Sequence, residues 1–398
     1  MRPGALRGRP PLRVAVVSGT RAEFGLLASP LREMRRRPRL EVRLIAAGMH
    51  LLPKFGRTLE HIEQAGFTVD ATVSMQSGRD DPCGEALAVG RGVTGLAGVF
   101  DRLRSQVVVV LGDRIEAFAA AAAAAAGRRV VAHIHGGDRA AGDVDDALRN
   151  AITRLAHVHL VASADARRRL LRMGEPPERI HRVGAPGLDD IRVLRTGDRT
   201  PAGRAETDRR VRALLGELAG RPYVLILQHP CGHGPAREAA IMRAVLQAVS
   251  RADLAGVVLY PNSDPGHDGI VAVIRELRDR RRWRVFRSLP REDFIRLALR
   301  ARAMVGNSSS GLIESASLGL NAVNVGPRQA GRLKCGPGVI DVPETSAGVF
   351  SGLRRALQRR RPAGAASVYG DGRAGARIAD VLESLIITPA ITRKSLTY

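Results

Sequence analysis

The feature that most constrains this chain is a repeated hand-over. A short apolar run rich in Val, Ile and Leu ends in small or polar residues, and a helix-period segment follows. "LRVAVVS" (12–18) leads into "GTRAEFG", "LEVRLIAAG" (40–48) is a second such run, and "SQVVVVLGD" (105–113) is a third. An alanine stretch, a strong helix former, follows the third. "RRVVAHIHGG" (128–137) and "HVHLVAS" (157–163) flank "VDDALRNAITRLA" (144–156), whose apolar spacing is that of an amphipathic helix. Apolar strands alternating with helices predict a parallel sheet covered on both faces, an α/β fold.

The pattern lapses near 190–222, where "RVLRTGDRTPAGRAETDRR" is polar and without apolar periodicity, and reads as an interdomain connection. It then resumes with "YVLILQHP" (223–230), "LAGVVLYPNSD" (254–264), "RWRVFRSLP" (282–290), "ARAMVGNSSS" (301–310) and "NAVNVGPRQ" (321–329). The economical architecture is two Rossmann-like domains with a central cleft. A loose tail would occupy 1–11, the first domain 12–190, the second 191–373, and a final helix and tail 374–398. Open α/β sheets bind ligands beyond the carboxyl ends of their strands, and here those ends carry the Gly, His, Asp, Arg and Ser residues.

Charge tempts one toward nucleic acid, since the 398 residues carry a formal net charge of +24. Against that, aromatics are only 3%, and all but Lys54, Lys334 and Lys394 of the 63 basic residues are arginines scattered along the chain. No basic stripe interleaved with aromatics exists for a nucleic acid to lie on; a basic surface would still attract a small polyanion. Cys83, Cys231 and Cys335 lie far apart, which argues against a disulfide framework or a structural zinc. "AFAAAAAAAAG" is too short and too weakly apolar to cross a bilayer. A cytoplasmic protein without a membrane partner is expected.

The strand-end loops divide by chemistry. Those of the first domain carry Arg21 and Glu23, His50, Asp113 with Arg114 and Glu116, and then His133, His135, Asp138, Asp143, Asp145, Asp146 and Arg149. Carboxylates and histidines are acid–base residues. The second domain offers His229, Asn262, Asp264, the run Ser308, Ser309 and Ser310 ahead of Glu314, and Arg328 and Arg332. Backbone donors, histidine and arginine suit phosphates. Blander readings stand beside each of these. The serines in "VGNSSSGLIESASLGL" would cap a helix, the helix N-terminus being also a place to hold an anion. Asp145 and Asp146 would answer a helix dipole. His229 would be a packed histidine. "HIH" would be a metal pair, since alternating strand residues put His133 and His135 on one face. "GTRAEFG" lacks the ending of a Walker A loop and is not G-x-G-x-x-G.

Taken together and in order, "SGTRAEFGLL", "GMHLLPKFG", "LGDRIEA", "HIHGGDRAAGDVDDALRNAITRLAHVHLVAS", "VGAPGLDDI", "LQHP", "PNSDPG" and "VGNSSSGLIESASLGLNAVNVGPRQAGR" resemble the hydrolysing UDP-N-acetylglucosamine 2-epimerases of bacterial sialic acid synthesis. The resemblance covers roughly residues 12–387. It implies the GT-B arrangement of two Rossmann-like domains, with a helix near 374–387 returning to the first. It implies conversion of UDP-GlcNAc and water to N-acetylmannosamine and UDP, by elimination to 2-acetamidoglucal and rehydration with inversion at C2. Asp113, His135 and Asp145 fall on acid–base positions. His229, Ser308 and Ser309 fall on diphosphate positions, Glu314 on the ribose position, and Arg21 near the uracil end. His50, Arg114, Arg149, Asn262 and Arg328 fall on further substrate positions. No metal or other cofactor is implied, because the elimination needs only acid–base groups and phosphate donors. A homodimer or homotetramer is implied, with 144–156 as a candidate interface helix.

The chain also departs from that pattern. "HIHGG" has a histidine where the animal relatives carry glutamate. Glu23 and Phe24 replace an Asp-Tyr pair, and "AAG" at 140–142 replaces Thr-Glu-Gly. A changed loop beside the sugar admits another sugar, such as a UDP- or GDP-linked 2,4-diacetamido-6-deoxy sugar of the legionaminic acid type. The non-hydrolysing epimerases usually read His-Val-Glu-Ala-Gly and His-Arg-Arg-Glu-Asn where this chain has "HIHGG" and "QHPCG".

Overall fold

A computed structural model describes residues 10–52, 58–76, 81–139, 144–262, 264–363, 367–395 and 397. Asp143, the "AAG" at 140–142 and residues 1–9 of the expected tail lie outside the described residues. The chain divides into two compact units, one of Met1–Asp138, Val144–Asp189 and Gly372–Tyr398, the other of Arg139–Asp143 and Asp190–Asp371.

The first unit holds a seven-stranded sheet in the order β3-β2-β1-β4-β5-β6-β7, every pairing parallel. Its strands are β1 (Leu12–Ser18), β2 (Leu40–Ala47), β3 (Ala71–Val73), β4 (Val107–Leu111), β5 (Val130–Ile134), β6 (Val158–Val161) and β7 (Ile180–Arg182). Strand alternation splits the core into two layers. Val14 and Val16 of β1, with Val107 and Val109 of β4, join Leu27 and Leu31 of α1 (Arg21–Arg35) and Ile378 and Leu382 of α15 (Ala374–Glu383). Ala15, Val17, Val108 and Val110 face the other way, onto α3 (Pro82–Arg102) and α4 (Ile115–Ala126). Helix α4 is the alanine run, and its small side chains let it pack closely while burying much of its circumference. The amphipathic segment after β5 is α5 (Asp145–Leu155).

The second unit holds a six-stranded sheet in the order β10-β9-β8-β11-β12-β13, again all parallel. These are β8 (Tyr223–Leu227), β9 (Ala255–Leu259), β10 (Trp283–Phe286), β11 (Met304–Gly306), β12 (Ala322–Val325) and β13 (Val339–Val342). Val224, Ile226, Val258, Val305 and Val323 pack beneath α9 (Pro235–Arg251), α10 (His267–Arg275) and α14 (Ser346–Gln358). Strand order reverses between β1 and β4 in the first sheet and between β8 and β11 in the second, so each unit has a topological switch point.

Two local readings need correction. The polar stretch read as a connection is helical, as α7 (Gly187–Gly197) and α8 (Pro201–Leu215). Helix α8 buries Thr207, Val211 and Leu215, spaced by four, and the threonine hides the period from an apolar scan. The "LIESASLGL" segment is not one helix. It is α12 (Ser309–Ile313) and α13 (Ser315–Leu318), broken at Glu314 and stopped by left-handed Gly319.

Candidate active site

In the first unit the ends of β4 and β5 and the start of α5 converge. Arg149, on the buried face of α5, donates to the carbonyl of His135 at 2.9 Å and to the Asp113 carboxylate. Burial pulls its pKa down, but Asp113, Asp138, Asp145 and Asp146 together outweigh that and hold it above the ordinary value. Arg149 thus ties the loop after β4 to the loop after β5 through a charge-assisted bond.

His135 does not share a face with His133. Strand β5 ends at Ile134, and His135 turns into the left-handed region with φ 66°, an uncommon place for a non-glycine residue. Its Nδ1 lies 2.8 Å from the Asp138 carboxylate. That contact puts the proton on Nδ1 and leaves Nε2 as a proton acceptor, the arrangement of a carboxylate-oriented base. His133 points into the core instead. Its Nε2 donates to the carbonyl of Gly112 at 2.8 Å and its Nδ1 meets the Thr153 hydroxyl at 3.3 Å. Burial drives its pKa down to about 3, so it is a neutral linker. Among the described residues no group of three or more His, Cys, Asp or Glu is placed to hold a metal.

Arg21 and His50 lie at the ends of β1 and β2. Arg21 opens α1 behind the N-cap Thr20, and burial lowers its pKa to about 10, still charged at neutral pH. Both ring nitrogens of His50 are engaged, Nε2 with the Ser18 hydroxyl at 2.9 Å and Nδ1 with that of Thr58 at 3.0 Å. Burial brings its pKa to about 4. A neutral ring held by two hydroxyls fastens the loops after β1 and β2. Arg114 caps the approach to α4, with Nε 3.6 Å from the buried Glu116 carboxylate.

Glu23 and Phe24 turn inward. The Glu23 carboxylate accepts from the Gly19 N–H at 2.7 Å, and the Thr20 hydroxyl accepts from the Glu23 N–H at 3.2 Å. This is a reciprocal capping arrangement at the start of α1. Phe24 packs edge-on against Phe67 in the core. Neither side chain selects a sugar.

In the second unit the loops after β8, β9, β11 and β12 meet around His229. Its Nδ1 accepts from the Asn262 N–H at 3.1 Å, so the neutral ring carries its proton on Nε2, a donor suited to a phosphate oxygen. The main chain of His229 is clamped by Asn307, whose Oδ1 accepts from the His229 N–H at 2.7 Å and whose Nδ2 donates to the His229 carbonyl at 2.8 Å. Gly306 makes the clamp possible. It has φ 132°, and a Cβ there would lie 2.1 Å from the Leu227 carbonyl oxygen. Arg328 donates from Nε to the Pro230 carbonyl at 3.1 Å, and Gln329 donates to the Asn307 carbonyl at 2.9 Å. Ser308 is the N-cap of α12, accepting from the Ser310 N–H at 3.4 Å, with Ser309 next in line. Ser308 therefore serves as the cap of this run. Helix α12 is too short for a large dipole, so its value to an anion lies in local N–H and O–H donors. Glu314, at the break between α12 and α13, pairs with Arg291 at 3.0 Å.

Each unit thus gathers its own share of the expected residues. Asp113, His135, Asp145 and Arg149 come together in the first; His229, Asn262, Ser308, Ser309 and Arg328 line neighbouring strand ends in the second. Asp138 is a candidate from sequence, but not as the orienter of His135; Asn307 as clamp of His229 and Arg291 as partner of Glu314 are not singled out there. Asn307 directly after the glycine of a strand end, and Asp138 three residues beyond His135, are the signals that would have found them.

Known proteins match these features. A sequence profile of the UDP-N-acetylglucosamine 2-epimerase family matches residues 32–383. A UDP-N,N'-diacetylbacillosamine 2-epimerase (hydrolyzing) of Legionella pneumophila is 34% identical over 386 residues, 97% of this chain and 99% of that protein. A UDP-N-acetylglucosamine 2-epimerase of Neisseria meningitidis is 32% identical over 348 residues, 86% of this chain and 87% of that protein. The crystal structure of UDP-GlcNAc 2-epimerase from Neisseria meningitidis bound to UDP-GlcNAc aligns with a TM-score of 0.76 at 16% identity, covering 93% of this chain and 99% of that one. The fold is α/β with two Rossmann-like units, the GT-B type.

Proposed function

The chain belongs to the UDP-N-acetylglucosamine 2-epimerase family and is a UDP-sugar 2-epimerase; we propose that it is a hydrolysing one, releasing the free C2-epimeric sugar and UDP. The observation that carries this reading is the 34% identity to a hydrolysing relative along 97% of the chain. The same observation supports UDP-N,N'-diacetylbacillosamine as the sugar nucleotide. A second reading, UDP-GlcNAc, is supported by the 32% identity to the Neisseria meningitidis relative over 86% of the chain. The replacements at Glu23 and Phe24 no longer bear on the choice, because both side chains are spent inside the fold.

In the proposed reaction a base removes the proton from C2 and the C1–oxygen bond to UDP breaks, leaving a C1=C2 double bond. Water then adds its oxygen to C1 while a proton returns to C2 from the opposite face. Inversion needs a proton-handling group on each face, so two are required. Asp113, seated by Arg149, and His135, oriented by Asp138, are suited to these two roles, with Asp145 beside Arg149. The departing diphosphate gathers negative charge and needs fixed donors. The Nε2–H of His229, the donors of Ser308 and Ser309, and Arg328 would supply them, with Asn262 fixing the His229 tautomer. Glu314 would take the ribose hydroxyls, and Arg21 and Arg114 the remaining polar contacts.

Proton NMR in D2O with each sugar nucleotide tests the reading. Free sugar of inverted C2 configuration, deuterated at C2 and formed together with UDP, is expected, faster from the diacetamido substrate. A UDP-linked epimer would replace the hydrolysing reading with the non-hydrolysing one, and turnover of UDP-GlcNAc alone would establish the second sugar.

A further inference from the structure

Lysine is scarce in this chain, and one of its three lysines occupies a half-buried position where acceptors converge on its ammonium. Lys394 lies beyond α16 (Pro389–Thr392), near the end of the chain. Its ammonium donates to the carbonyls of Thr153 at 2.9 Å, Arg154 at 2.9 Å and Ala156 at 2.8 Å, the last carbonyls of helix α5. It also meets both oxygens of the Glu175 carboxylate, at 2.9 and 2.7 Å. A tetrahedral ammonium can reach acceptors spread in three dimensions from one point; a planar guanidinium cannot. Glu175 and His159 are fully buried, and Glu175 also accepts from His159 at 2.9 Å and from Arg154 at 3.1 Å.

The segment around Lys394 is strapped down along its length. Arg179 donates to the carbonyls of Ala390 at 3.0 Å, Ile391 at 3.2 Å and Arg393 at 3.1 Å, and the Thr397 N–H donates to the Gly174 carbonyl at 2.9 Å. What it holds is the rear end of the helix that carries Arg149. Two routes lead from there to Asp113. One turn along α5 from Thr153 is Arg149, which grips the Asp113 carboxylate and the His135 carbonyl. The Thr153 hydroxyl also meets His133, which donates to the carbonyl of Gly112, the residue before Asp113.

We propose that Lys394 is a positioning residue for the epimerase reaction: by capping α5 and neutralising Glu175, the C-terminal strap fixes the register of α5 and through it the placement of Asp113 and His135. The proposal rests on the reading of Asp113 and His135 as proton-handling groups. A positive charge at a helix C-terminus is stabilising in its own right. What sets this one apart is that the capped helix is the one bearing Arg149.

Steady-state kinetics of the full chain test this with Lys394→Met, Lys394→Ala and Asp113→Asn. Lys394→Met should lower kcat per folded molecule by about tenfold to a hundredfold, the scale of a small misplacement of reacting groups. UDP affinity, which depends on groups away from α5 such as His229 and Ser308, should stay within about twofold of wild type, well below a tenfold effect. Lys394→Ala should regain part of its kcat in methylammonium, which has no effect on the wild type; a lysine that served only global stability would show no such rescue. An unchanged kcat per folded molecule in Lys394→Met, with the folded fraction measured by calorimetric unfolding enthalpy, overturns the proposal. If Asp113→Asn turns over like wild type, the reading of the acid–base site has failed instead. If Asp113→Asn is dead and Lys394→Met is normal, only the strap has failed.

Discussion

Glu23→Gln should make the protein more stable at neutral pH, although it replaces an ionisable group in a capping arrangement. Glu23 is buried at the first turn of α1, and burial, the largest influence, pushes its carboxyl pKa up to about 8. The nearby Glu116 adds to the rise, while the Gly19 and Thr20 backbone contacts and Arg114 oppose it. In the unfolded chain the same carboxyl would have a pKa of about 4.3. Between these values the folded state keeps a proton that the unfolded state has lost. Unfolding therefore releases protons, and stability falls as pH rises through this window, by up to about 1.4 kcal/mol per pH unit. The cost is absent below the unfolded pKa, reaches roughly 3.5 kcal/mol at pH 7, and is complete above the folded pKa. Glutamine has the same volume, stays neutral throughout, and can still accept from the Gly19 N–H. The variant should match wild type near pH 4.5 and exceed it progressively to pH 8.

Calorimetric melting of both proteins at pH 5, 6, 7 and 8 measures this. For a unit of this size, about 3.5 kcal/mol corresponds to a gap of roughly 7–14 °C at pH 7. The only tryptophan, Trp283, lies in the second unit, so its fluorescence transition provides an internal reference for the unit that the substitution does not touch. Melting curves that stay parallel from pH 5 to pH 8 would refute the argument, because they would mean that Glu23 is ionised in the folded protein at every pH tested.

Three further substitutions test the candidate residues of the two units. Asp113→Asn should abolish detectable turnover in the NMR assay while UDP affinity by calorimetric titration stays within a few-fold; near-native turnover would remove Asp113 from the mechanism. Asn307→Ala removes both bonds to the His229 main chain and should weaken UDP binding about tenfold, with a stability loss of about 1–3 kcal/mol from the unsatisfied groups; unaltered UDP affinity would show that His229 needs no clamp. Gly306→Ala forces a Cβ against the Leu227 carbonyl and a side chain into positive φ, and should destabilise the second unit by at least about 2 kcal/mol in denaturant titration. A neutral effect there would contradict the close approach of β11 to β8.

The architecture was legible in the sequence because its signal is local. A run such as "SQVVVVLGD" announces a doubly buried strand and its polar exit without reference to anything distant. Short strands with one or two apolar residues, such as β3 and β7, carried too little pattern to register. The helix α8 was missed because one of its three buried positions is a threonine. The family motifs are legible for the same local reason, since each is a short run at a strand end. What sequence could not give was how those residues hold one another. The bond from Arg149 to Asp113 spans 36 positions, and the clamp from Asn307 to His229 spans 78.

That difference explains why chemistry-capable residues in equivalent places divide into two kinds. His50 and His229 both follow the carboxyl end of an apolar strand, and nothing in their immediate sequence separates them. In the fold, both ring nitrogens of His50 meet hydroxyls of the scaffold, while Nδ1 of His229 accepts a backbone N–H, which puts the proton of the neutral ring on Nε2. His133 and His135 repeat the contrast at adjacent alternating positions, one neutral and buried, the other turned by a left-handed backbone onto Asp138. A histidine can serve a ligand only with a nitrogen that the protein has not already used. Its role is therefore decided by the partner on its second nitrogen, and that partner is supplied by tertiary structure. Here backbone geometry contributes through the positive φ of His135, which turns its ring onto Asp138, and of Gly306, which brings Asn307 against the main chain of His229.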